Sequence, residues 1–217
     1  MARPRALFPI DRIPLVGGSV CLDFVNTCGA RGSGLPRERL AHYRDLLVWS
    51  QRAGILEEKA AATLRGAAAR RPDEAGRALA RARAVRESLY ALFSTVAAGR
   101  RPGVDVVSDV DRHWRAARNR QELVAAREGF EIRFVASVEF DCIVHAIVLS
   151  AAELLTSDRL RGLTRCAECD WLFVDKGRNG TRRWCKPMCG NRARSRERYG
   201  RLRKVTFQDD EAKRSAK

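Results

Sequence analysis

The 217-residue chain has no apolar run approaching the roughly 18 residues that cross a membrane as a helix. Its first residues, Met1 to Pro9, carry charge but lead into no apolar stretch of signal-peptide length, so a reducing cytoplasm is the expected setting. There is no Gly-Lys-Ser/Thr phosphate loop, no G-x-G-x-x-G between a strand and a helix, and no H-E-x-x-H. No nucleophile–base–acid set stands out, so the chain is not expected to be an enzyme. Acidic residues are scarce: 26 Asp+Glu face 42 Lys+Arg, a net charge of +16. Apolar residues still reach 45%, enough for a real core, and the length suits one large domain or two modest ones.

The surplus of positive charge is local. From Arg159 to Lys217 there are 18 basic and 7 acidic residues, whereas the preceding 158 residues hold 24 and 19. The densest block, Lys176 to Lys204, has 12 basic residues and a single acid, Glu197. Such a block is the electrostatic footprint of a polyanion-binding module, unless it is only a solvated, solubilising tail.

The rest reads as mostly helical. Leu15 to Thr27 begins with a Gly-Gly turn and continues as a short buried helix or strand. Pro36 opens helical territory, with Glu38 placed in a first turn, and Gly54 caps the far end. An Ala-rich helix over 57–70 follows. A long helix starts at Pro72 and stops near Gly99, before Pro102. Val104 to Asn119 is expected to be helical with Val106, Val107, Val110 and Trp114 inward. Runs 122–126 and 130–135 around Glu128-Gly129 suggest a hairpin. Phe140 to Thr156 has the broad apolar face of a buried helix. The expected units are a helical domain over 1–160, a cysteine-containing unit over 161–206 and a disordered tail over 207–217.

Four cysteines stand at metal-ligand spacing. Cys166, Cys169, Cys185 and Cys189 form C-x2-C-x15-C-x3-C. A C-x2-C turn aims two thiolates at one ion, and a pair one hairpin away completes a tetrahedron. Residues 171–175 and 181–184 read as the two strands of that hairpin, and Pro187 starts a helix carrying Cys189. This is a treble-clef-like arrangement, so the fold class is mainly α with a small β-hairpin (α+β). One structural Zn2+ is the leading reading; an iron–sulfur cluster and two disulfides would use the same sulfurs. Cys21, Cys28 and Cys142 lie in or beside apolar runs and are read as core residues, as is His145.

The string Cys166-Ala-Glu-Cys169, Phe173-Val-Asp175, Arg182-Arg-Trp-Cys185 and Met188-Cys-Gly-Asn-Arg192 resembles the CGNR zinc finger. Gly17-Gly18 and Leu22-Asp-Phe-Val-Asn-Thr27 resemble the opening of the ABATE domain, which precedes this finger in many bacterial proteins. Lys186 stands where that finger often has serine, and the four ligands are unaffected. The resemblance implies a stress-responsive transcriptional regulator that binds DNA through the finger.

The residues themselves support a polyanion partner. Arg192, Arg194, Arg196, Arg198, Arg201 and Arg203 splay around a helix with little apolar surface. Arginine forks suit phosphates and guanine edges, so this helix is expected in or across a major groove of double-stranded DNA. Arg182 and Arg183 are expected to grip the backbone. Asn191 either reads adenine or stabilises the cysteine turn. Trp171, Phe173 and Trp184 form the small finger core, unless one stacks on an RNA base. The helical domain is read as a sensor of a small-molecule effector or as a homodimerisation unit. Asp23, Asn26 and Thr27 either line a ligand pocket there or cap and turn their own backbone. Three other readings stand beside the DNA-binding regulator acting at the nucleoid. They are an RNA-binding module, an enzyme tethered by the finger, and a thiol redox switch. On the leading reading, Cys166→Ser removes zinc and DNA binding while the helical domain stays folded.

Overall fold

The computed structural model describes residues 9–31, 36–134, 139–177 and 180–199. The tail over 207–217 and the arginines at 201 and 203 lie outside the described residues. In chain order the helices are α1 (Val20–Val25), α2 (Tyr43–Arg52), α3 (Glu58–Arg70), α4 (Pro72–Ala97), α5 (Val104–Arg118) and α6 (Cys142–Leu155). A seventh, α7, spans 187–199. Three antiparallel strand pairs accompany them: β1 (Cys28–Gly29) with β2 (Arg37–Glu38), β3 (Gln121–Ala126) with β4 (Gly129–Phe134), and β5 (Leu163–Arg165) with β6 (Leu172–Val174).

Local signals account for most helix ends. Pro72 occupies the first turn of α4, and Asp73 and Glu74 complement the helix dipole. Gly99 ends it in the left-handed region at φ +68°. Gly54 plays the same part after α2, at φ +73°. At the start of α2, the Asp45 carboxylate accepts the His42 N–H at 2.8 Å and closes the first turn.

Two expectations change. Glu38 is in β2, not in a helix opened by Pro36, and α2 begins only at Tyr43. The cause lies far along the chain: Arg86 on α4 holds both oxygens of the Glu38 carboxylate, at 2.7 and 2.5 Å. The N–H groups of Arg39 and Leu40 donate to the same carboxylate, at 2.9 Å each. On α5, Val110 is buried and Val106 and Trp114 pack against the core, but Val107 is exposed.

The centre of the molecule is α6, buried through Ile143, Val144, Ile147, Val148, Ala151 and Leu154. It packs on α5, α1 and α4, and α1 in turn touches α4 and β6. One continuous core joins these helices to Cys166, Trp171, Leu172, Phe173, Cys185 and Cys189. The helical part and the cysteine-containing part therefore share their apolar interior.

The turn into α1 shows how close that joint is. A Cβ on Gly17 would lie 2.7 Å from the Leu22 Cβ, so only glycine fits without a shift. Gly17 N–H donates to Asp23 at 2.7 Å, and the Gly17 carbonyl accepts Val174 N–H of β6 at 2.9 Å. Burial pushes the Asp23 carboxyl up to about 6, against the opposing pull of the Gly17 and Val16 N–H groups. A carboxyl raised above its unfolded value favours the folded state while protonated. Stability from this group therefore falls as pH rises from about 4 to about 6. Asp23→Asn keeps an acceptor for Gly17 and removes that fall. In urea titrations at pH 7.5 it is expected to be more stable than the parent, by up to about 3 kcal/mol. An advantage that is the same at pH 4.5 and 7.5 would refute this assignment.

Candidate metal centre and basic helix

β5 delivers the chain to Cys166, and a tight turn over 167–169 returns it. Asp170 N–H donates to the Cys166 carbonyl at 3.2 Å, and Asp170 itself sits at φ +61°. Cys166 N–H donates to the Trp171 carbonyl at 2.8 Å, which sets up β6. The expected hairpin between 171–175 and 181–184 does not form. β6 pairs with β5 instead, through Leu163↔Val174, Thr164↔Phe173 and Arg165↔Leu172. Its other edge is taken by Gly17 and by Asn26, so no edge is left for residues 181–184. That segment is held instead by Ala167 N–H on the Arg183 carbonyl, at 3.1 Å, and Arg182 N–H on the Asp175 carboxylate, at 2.9 Å.

α7 then brings Cys189 under the knuckle. Its early turn passes close to Trp184: a Cβ on Gly190 would meet the indole ring at 3.2 Å. The four sulfurs all lie within 4.8 Å of one another. Cys169–Cys185, Cys185–Cys189 and Cys169–Cys189 are separated by 3.5, 3.8 and 3.7 Å. Four sulfurs at about 2.3 Å from one tetrahedral ion would stand about 3.8 Å apart, whereas a disulfide needs about 2.05 Å. The donor set thus fits a single thiolate-bound ion.

The thiols do not ionise alike. Hydrogen bonds from Cys169 and Cys185 hold Cys166 far below the ordinary thiol range. Cys169, bonded to that sulfur, is pushed up to about 12, and Cys185 is also raised. A cation that replaces the protons would release them on binding. By contrast, burial pushes Cys21 and Cys142 up to about 11, and raises Cys28 as well. Cys21 and Cys28 are buried and Cys142 is partly buried against the core; His145, lowered by burial, is not among the clustered ligands.

Around the sulfurs stands a basic shell that the spacing alone did not reveal. Arg192 donates to Cys189 Sγ at 3.5 Å, offsetting thiolate charge from the helix side. The signal was present in the sequence, because i and i+3 share a helix face. Lys186 lies 3.9 Å from the centre of the Trp171 ring, and Arg39 approaches the same ring. Arg196 pairs with Glu168, whose carboxylate is almost fully buried inside the knuckle.

The seven residues expected on nucleic acid separate into two groups. Arg182 donates to the carbonyls of Trp184 and Cys185 and lies over Phe173, so its fork braces the finger. Arg192 and Arg196 are occupied by Cys189 and Glu168. Asn191 accepts from Arg194 at 2.6 Å. Arg183, Arg194 and Arg198 are exposed, and so are Arg182, Asn191 and Arg196; the groups differ in their partners, not in exposure. Arg183 and Arg194 both approach the Trp184 ring, at 5.5 and 5.8 Å from its centre.

Asp23, Asn26 and Thr27 each make hydrogen bonds within the chain. Asn26 accepts Leu172 N–H at 2.9 Å and donates to the Leu172 carbonyl at 2.8 Å, acting as an extra strand edge for β6. Thr27 donates to the Phe24 carbonyl at 2.6 Å and accepts from Arg86 at 3.2 Å. Asp23 holds Gly17. Most of these bonds go to the chain's own backbone, and Thr27 also meets the Arg86 side chain.

Comparison with known families bears on both parts. Residues 18–158 match ABATE, described as a putative stress-induced transcription regulator. The chain belongs to the ABATE family. In this ABATE protein, residues 163–202 also match the CGNR zinc finger, a span that includes all four clustered cysteines. A search of curated proteins found no match. No helix among the described residues of the ABATE protein is long and apolar enough to cross a membrane.

Proposed function

We propose that the chain is a zinc-dependent, DNA-binding transcriptional regulator, not an enzyme, acting on the nucleoid in the cytoplasm. Zn2+ held by Cys166, Cys169, Cys185 and Cys189 would supply a structural cross-link, since four thiolates leave no position for substrate or water. The observation that carries the reading is the exposed set Arg183, Arg194 and Arg198 on the segment and helix that carry Cys185 and Cys189. Trp184 keeps two of these guanidiniums over its ring, so less rotamer freedom is lost when they meet phosphate. Arg182 and Arg192 bond to the Cys185 carbonyl and to Cys189 Sγ, and exposed Arg196 pairs with Glu168.

Selection of random duplex DNA at about 0.15 M salt tests the proposal, because nonspecific phosphate binding is weakened there. A defined motif is the expected result. Combined Arg183→Ala, Arg194→Ala and Arg198→Ala should weaken binding by at least about tenfold and flatten the salt dependence by roughly 0.9 per lost phosphate contact. Binding without motif enrichment, or competition won by single-stranded RNA, would refute sequence-specific DNA recognition. Arg182→Ala separates the two groups of arginines: it should lower finger stability more than it changes the salt slope.

A further inference from the structure

The β3–β4 hairpin carries a surface that the finger does not use. Leu123, Phe130 and Ile132 are 69, 74 and 64% exposed. They share one face, since Leu123 pairs with Ile132 and Ala125 with Phe130 in the hairpin register. No third strand extends this pair among the described residues. A two-stranded ribbon is marginal in water, and its free edges invite another strand.

The sequence of β4 says which strand. Phe130-Glu131-Ile132-Arg133-Phe134 is self-complementary when laid antiparallel on itself about Ile132. Ile132 then faces Ile132 of a second copy, and position 130 falls opposite position 134 of that copy. Glu131 falls opposite the second copy's Arg133, and Arg133 opposite its Glu131. Within each hairpin Arg133 already faces Glu122. The charged face of the joined sheet would therefore alternate in sign across the strands: Glu122, Arg133, then the second copy's Glu131. In the isolated chain Glu131 and Arg133 are paired with each other along the strand, at 2.8 Å, and both are half exposed.

Other registers are worse. Centring the pairing on Glu131 or on Arg133 sets like charges face to face on the axis. A one-residue slip puts Glu131 opposite Ile132 and turns the apolar set to the wrong face. β3 offers no equivalent, because centring it on Leu123 or Val124 leaves Glu122 opposite Val124 or Ala126. We infer that β4 is a homodimerisation edge. Two copies join it across a two-fold axis into a four-stranded sheet with one continuous apolar face. Identical strands paired antiparallel make an isologous contact, which closes at two copies. The inference does not depend on the reading of the basic helix.

Charge reversal tests it. Sedimentation velocity of the metal-loaded full chain should show a dimer that dissociates on dilution. Glu131→Arg sets the introduced guanidinium against the second copy's Arg133 twice per dimer, and should weaken association by about tenfold or more. The triple reversal Glu122→Arg, Glu131→Arg and Arg133→Glu restores complementarity throughout, and should dimerise like the parent. Parent and triple-reversed chains, mixed, should form no mixed dimers in native mass spectra, because every cross-axis pair would then carry like charges. A parent that stays monomeric would overturn the inference. So would a dimer indifferent to Glu131→Arg, or free mixing of parent with the triple variant.

Discussion

Chelating the metal, or replacing Cys166 with serine, is expected to lower the melting transition of the whole chain, not of the finger alone. Trp171, Leu172 and Phe173 belong to the same core as α1, α4 and α6. Asn26 on the helical side makes both of its amide hydrogen bonds to Leu172, and Gly17 accepts from Val174. Losing a metal held by the four cysteines would free them and α7, and β6 would lose the turn that positions it. Zinc contributes on the order of 10 kcal/mol to small thiolate modules, comparable with the total stability of an ordinary domain. The expectation from sequence, that the helical domain stays folded in Cys166→Ser, treats the two parts as separate units. Helix-monitored melting with and without a strong chelator decides it. One transition that moves down by many degrees is the expected outcome. An unshifted helical transition beside a lost finger would mean that the shared interface contributes little.

Arg86→Ala is expected to cost about 1.5–3 kcal/mol, less than the roughly 3–5 kcal/mol of a fully buried pair, because the Glu38 side chain left behind is 34% exposed. Arg86 is only 2% exposed. Its guanidinium holds both oxygens of Glu38, and its Nε donates to Glu87 at 2.8 Å. Burial pushes the Glu38 carboxyl up, yet the Arg86 contacts, the Leu40 N–H and Arg83 together hold the group below its ordinary value. A lowered carboxyl stabilises the fold above its unfolded pKa, and that stability is lost as pH falls through the folded value. In Arg86→Ala only the Arg39 and Leu40 N–H groups and Arg83 still oppose burial at Glu38, so the loss should be larger at pH 7 than at pH 4. Arg86→Met combined with Glu38→Leu removes both charges and should recover most of the stability. Urea denaturation of the three proteins measures this. A loss below about 1 kcal/mol for Arg86→Ala would mean that water replaces the guanidinium at Glu38.

Features that depend on near neighbours were legible in the residues alone. Pro72, Gly99 and Gly54 mark helix ends because φ preferences act within a turn. The 122–135 hairpin follows from alternation around one glycine, although the residue at 135 lies outside the described set. The cysteine spacing places four sulfurs within reach of one ion, since a C-x2-C turn is a local object.

Long-range partners override those signals, and only the folded chain shows where. Glu38 leaves its expected helix because Arg86 claims its carboxylate. β6 takes β5 and Asn26 as neighbours, not residues 181–184. Arg182 and Arg196 reach the Cys185 carbonyl and Glu168, partners that identical residue types in one run do not name. Asn26 and Leu172 stand 146 positions apart. Their pairing arises only when the chain closes on one apolar interior, and no window of sequence contains both.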